Sequence, residues 1–88
     1  MSHLIVEQVF EIPLTDEAHA RLGERLDKCL EAYRARWIRS YLSTDRRRMV
    51  CEFDAPDAEA VRTSYRSAGI AFERVWTAEL YTRDVTVA

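Results

Sequence analysis

Eighty-eight residues make about one small domain, with hydrophobic residues at 48% and charged residues at 32%. That balance is the signature of a folded globular chain, and it excludes a collagenous repeat, a disordered tail and a multidomain enzyme. Thirteen basic against fifteen acidic side chains leave a formal charge of -2, whereas a dedicated nucleic-acid module carries a basic excess to neutralise phosphate.

The first element is a strand over residues 3–12, HLIVEQVFEI, rich in β-branched and aromatic residues and stopped by Pro13. Thr15 is placed to cap a helix, with Asp16 and Glu17 favourable at its positive end. Ala18, Leu22, Leu26, Cys29, Leu30 and Tyr33 then recur every three or four residues, which predicts an amphipathic helix of roughly five turns. Gly23 lies inside that helix and weakens it by about 1 kcal/mol relative to alanine.

Trp37–Ser43 and Met49–Ala55 follow as strands, and the polar segment Thr44-Asp45-Arg46-Arg47-Arg48 between them makes a hairpin. Pro56 and Asp57 open a second helix whose apolar positions are Ala58, Val61, Tyr65 and Ala68, and Gly69 suits its C-terminal cap. A last strand is expected from Arg74 to Thr82, and residues 83–88 read as a loose tail. The order βαββαβ defines an α+β, ferredoxin-like fold: one four-stranded antiparallel sheet with two helices on one face, in a single domain over residues 1–88.

Alternation along the strands divides the sheet into two faces. The set expected under the helices is Leu4, Val6 and Phe10; Ile38, Ser40 and Leu42; Met49, Cys51 and Phe53; Trp76, Ala78 and Leu80. The opposite face would carry Ile5, Glu7 and Val9; Trp37, Arg39 and Tyr41; Val50, Glu52 and Asp54; Val75, Thr77, Glu79 and Tyr81. This second face is too apolar for free solvation yet carries charge, the composition of an interaction surface. Pairing two such faces gives a homodimer of the dimeric α+β barrel type, enclosing carboxylates that then need partners. The candidate ligand-binding residues are Glu7, Trp37, Arg39, Tyr41, Glu52 and Glu79.

Other signals point to structure. His3 and His19 form no paired metal motif and read as surface residues. Cys29 and Cys51 have no CxxC spacing and suit packed, reduced thiols. Arg46-Arg47-Arg48 reads as a solvated turn, and Glu7 and Glu52 would repel a phosphate backbone. Neither a glycine-rich phosphate loop nor a nucleophilic triad is legible. No apolar run reaches the roughly 20 residues of a membrane span and no secretory leader is recognisable, so a cytoplasmic location is expected, without membrane or nucleic-acid partners.

Trp37-Ile38-Arg39-Ser40-Tyr41, with Asp45, Cys51 and Ala55-Pro56, resembles the core pattern of a bacterial domain-of-unknown-function family. Its members are small ferredoxin-like proteins, some named nickel-binding proteins. Glu7 and Gly69-Ile70-Ala71-Phe72-Glu73-Arg74-Val75 extend the resemblance over about Leu4 to Leu80. It implies the same fold and a nickel-like metal ion as the bound species. Arg39 and Ser64 stand where many relatives carry histidine, an imidazole being a preferred nickel ligand.

Three functions compete. The first is a non-catalytic dimeric binding protein, holding a metal ion or small ligand between its sheets. The second is a cofactor-free oxygenase, isomerase or cyclase, with Glu7 or Glu52 as base and Tyr41 as proton donor. The third is a structural subunit whose sheet face only docks to another chain.

Overall fold

A computed structural model describes residues 1–83. Its elements run β1 (Ser2–Val9), α1 (Asp16–Ala32), β2 (Arg36–Leu42), β3 (Arg48–Ala55), α2 (Ala58–Ala68) and β4 (Arg74–Ala78). The strands form one antiparallel sheet in the order β2-β3-β1-β4, and both helices pack against one face. This is the ferredoxin-like α+β fold that the element order implies.

Local chemistry accounts for the boundaries. Thr15 caps α1 by accepting from the Ala18 N–H at 3.1 Å, and Asp57 caps α2 by accepting from Ala60 at 2.8 Å. Gly69 ends α2 at φ 70°, a left-handed conformation that glycine reaches without a Cβ penalty. β1 stops at Val9, earlier than Pro13 alone suggests, because the chain turns to meet the β2–β3 hairpin. There Phe10 N–H bonds to the Arg47 carbonyl at 2.7 Å and Leu14 N–H to that of Arg46 at 2.9 Å.

The arginine run does more than line a solvated turn. Arg46 donates to the Leu14 carbonyl at 2.8 Å and also pairs with Asp16, while Arg47 reaches the Glu11 carbonyl at 2.6 Å. These side chains clamp the hairpin to the β1–α1 loop, giving backbone carbonyls outside the sheet a partner.

The core lies between sheet and helices. Leu4, Val6, Phe53 and Val61 are wholly buried, as is Tyr65 at 1% exposure. Tyr65 packs edge-on to Phe53 and Phe72, with ring centroids 5.9 and 5.7 Å apart.

Two strand phases differ from the alternation expected of them. Between Trp37 and Arg39 the β2–β3 register shifts: Trp37 lies opposite Phe53 while Arg39 lies opposite the very next residue, Glu52. One extra residue in β2 makes a bulge, so Trp37 belongs to the helix-covered face and not to the open one. In β4, Val75 pairs with Val6 and is buried, whereas Trp76 pairs with Ile5. The expected phase of β4 is therefore reversed, and Trp76 and Ala78 lie on the open face. β4 also ends at Ala78, which leaves Glu79, Leu80 and Tyr81 beyond the strand. Of the tail expected to be loose, residues 84–88 lie outside the described residues.

Candidate functional site

The open face is built from alternate residues of all four strands. β1 contributes His3, Ile5, Glu7 and Val9; opposite them in β3 stand Asp54, Glu52, Val50 and Arg48. On the outer strands, β4 adds Arg74 and Trp76 beside Glu7 and Ile5, and β2 adds Arg36, Arg39 and Tyr41 beside Asp54, Glu52 and Val50. Tyr41 and Val9 are each 58% exposed and Trp76 45%, an apolar and aromatic surface crossed by charge.

The charges fall into two clusters. In the first, His3 Nε2 lies 3.1 Å from Glu52 and its Nδ1 lies 3.7 Å from Asp54. Arg36 Nη2 reaches the other Asp54 oxygen at 2.9 Å, and Arg39 Nε approaches Glu52 at 3.7 Å. Glu52 is buried beneath these partners, which is how a carboxylate in the middle of a sheet is tolerated. In the second cluster, Trp76 Nε1 donates to Glu7 Oε2 at 2.8 Å and Arg74 Nε approaches the same oxygen at 3.8 Å.

The Asp54 carboxyl is held below its ordinary value of 3.8, chiefly by the Arg36 hydrogen bond, with the charges of Arg36 and then His3 adding to it and desolvation opposing. A carboxyl depressed in the folded state contributes stability above its unfolded pKa and loses it as pH falls through the folded one. Asp54→Asn is therefore expected to lower stability near neutrality by about 0.2–1 kcal/mol, the size of a solvent-screened pair. The gap from wild type should close as pH drops below about 4, read from thermal melts across that range.

Four of the six candidate residues lie on the open face and two do not. Arg39 and Tyr41 lie on the open face as expected, and Glu7 and Glu52 lie there in different clusters. Glu79 has left the strand and lines an open cleft with His3, Glu52, Trp76, Leu80 and Tyr81. Trp37, the sixth, sits across the sheet from the others, turned by the bulge. His3, Arg74 and Trp76 belong to the face and were not among the candidates. For His3 the signal was available, since it precedes Ile5 and Glu7 by even steps and shares their side of β1.

Other expectations hold on the covered face. Cys51 is buried there, with Ser40 Oγ donating to its sulfur at 2.8 Å, and burial raises its thiol above the ordinary range. Burial, with Cys51 beside it, likewise pushes the Tyr65 hydroxyl up. No helix among the described residues is long and apolar enough to cross a membrane.

A four-stranded ferredoxin-like sheet, helices on one side and a paired-charge aromatic face on the other, defines the class. Residues 3–77 match the model of the family described as nickel responsive protein SCO4226-like, and the chain belongs to that family. Among solved structures it is similar to the crystal structure of SCO4226 from Streptomyces coelicolor A3(2). The TM-score is 0.83 at 14% identity, over 92% of this chain and 100% of that one. That likeness carries the fold. A comparison with curated proteins returns no match.

The family description raises nickel, and the donors present can be tested against it. Among the described residues no group of three or more His, Cys, Asp and Glu side chains converges to hold an ion. The closest approach is His3, whose two ring nitrogens face different carboxylates, Glu52 and Asp54, so the three donors do not share one point. Both carboxylates are also faced by guanidinium groups. Arg39 and Ser64, the positions at which the family resemblance implies histidine, lie apart. Arg39 is on the open face, while the Ser64 hydroxyl is buried between the helices and donates to the Ala60 carbonyl at 2.8 Å. The described residues of one chain therefore do not assemble a nickel site.

Proposed function

We propose that this protein is a non-catalytic binding protein that works as a homodimer, its open sheet faces opposed around a small ligand in the cleft beside His3 and Glu52. The observation that carries this reading is that each carboxylate of β1 and β3 on this partly apolar face already has a partner. Glu7 is engaged by Trp76 and Arg74, and Glu52 by His3 and Arg39. Such a face is fit to be covered, because its charges already have partners before a second surface excludes water. The same pairing supports binding over catalysis: both candidate bases are held by donors of their own chain.

The cleft favours a cation. Its polar groups include the Glu52 and Glu79 carboxylates, and its walls include the rings of Trp76 and Tyr81. Carboxylates and aromatic faces together are the chemistry that receives positive charge. A metal ion bound here would need donors from both copies, since the described residues of one chain do not complete a site.

Sedimentation of the full chain at micromolar concentration, with and without nickel, tests the reading alongside titration calorimetry with nickel, cobalt and zinc. A dimer is expected in either condition. A monomer in both, with no heat from any ion at millimolar concentration, would overturn it.

A further inference from the structure

The other side of the sheet carries a feature that neither the open face nor the family accounts for. Between α1 and the sheet lies a partly enclosed cavity of about 140 Å³. Leu22, Leu26, Met49, Phe53, Tyr65 and Trp37 are among its lining residues. Helix α1 presents its apolar stripe to this space, and Leu30 is its only fully covered residue; Leu22 and Leu26 stay half-buried. A void of similar size lined by aliphatic and aromatic side chains stays dry and takes up benzene in another protein, at ~150 Å³.

Two local features hold the space open. The bulge in β2 turns Trp37 toward the helices, and its indole N–H donates to Ser40 Oγ at 2.9 Å, which fixes the ring as a wall. Gly23 lies on the same stripe of α1, and a Cβ built there meets nothing within 4 Å. Neither a left-handed backbone nor close packing requires glycine at this point in the helix. What its missing side chain leaves is room.

The buried polar atoms of the wall already have partners, the Gln8 amide donating to the Ala71 carbonyl at 3.0 Å, while His19 and Asp27 of the lining are exposed to solvent. The Ser40 hydroxyl donates to Cys51, and no buried side-chain nitrogen or oxygen among the described residues lacks a partner. We propose that this cavity is a binding site for a small, neutral, aromatic molecule of one ring or two fused rings. It enters between α1 and β2 and lies against Trp37. The site is independent of the open face and stands whether or not that face dimerises.

Benzene and indole are the probes, titrated into the full chain while methyl resonances are followed by NMR. Saturable shifts are expected at Leu22, Leu26 and Met49, with affinities in the millimolar range or tighter. Gly23→Leu fills the cavity and should weaken both probes at least tenfold while the spectrum stays folded; Leu26→Phe, read in the same way, serves if Gly23→Leu does not fold. Three outcomes would overturn the proposal: no saturable shift in the wild type, shifts confined to the Ile5 and Val50 methyls on the open face, or unchanged affinity in a folded cavity-filling variant.

Discussion

Phe53→Ala is expected to cost about 3–5 kcal/mol of folding stability, the range for deleting a fully buried aromatic side chain. Phe53 is 0% exposed, sits on central strand β3 opposite Leu4, and packs edge-on against Tyr65. Its removal takes away burial energy and also leaves a cavity that the rigid sheet cannot close. A chain of this length is stabilised by roughly 4–13 kcal/mol in total, at ~0.05–0.15 kcal/mol per residue. The variant should therefore lie near the threshold of folding at ambient temperature. Urea denaturation followed by circular dichroism measures it, and a midpoint close to wild type would show that the core does not depend on this ring. Phe53→Leu should recover much of the loss, because it refills most of the volume.

On the proposed pairing of open faces, Val50→Glu is expected to keep the protein monomeric at concentrations where that pairing would join two wild-type chains. Val50 stands in the middle of the open face, in register with Glu7 on one side and Tyr41 on the other, and is 37% exposed. A carboxylate added there lies beside Glu7 and would add a second negative charge to that point of the interface on association. Placing like charges together in an interface costs several kcal/mol; about 3 kcal/mol corresponds to roughly a 100-fold weaker association. The isolated chain should feel little of this, because the position is solvated when the face is free. Sedimentation equilibrium gives the association constant, and circular dichroism checks that the fold is kept. Association as tight as wild type in a folded variant would move the interface off the open face.

The elements most clearly legible were those whose cause is local. Thr15, Asp57 and Gly69 occupy the helix ends that their side chains, or the lack of one, favour. The core set Leu4, Val6, Met49, Cys51 and Phe53 follows from plain alternation in two uninterrupted strands. Glu7, Arg39, Tyr41 and Glu52 follow from the same rule, which is why most of the candidate site was readable before any coordinates.

The misplacements of Trp37 and of the β4 residues Val75 and Trp76 have one physical form, an error of phase, whereas Glu79 was misplaced because β4 ends at Ala78. Alternation tells which residues share a face, but it does not say which face or whether the count is interrupted. The bulge after Trp37 inserts one residue, and from there the side of the ring changes. β4 offered no outside reference, since Val75 and Trp76 are both apolar and either could face the core. Pairing with Val6 decided for Val75.

The order of elements, their caps and the apolar excess on a second sheet face are properties of the amino-acid sequence alone, set by propensity and periodicity within a few residues. Which guanidinium meets which carboxylate, and the burial of Glu52 between His3 and Arg39, come only from the register of strands distant in sequence. The turning of Trp37 toward a cavity opened by Gly23 likewise belongs to the tertiary structure. A one-residue shift between strands exchanges the faces of every side chain beyond it, and strand pairing is what sets that shift.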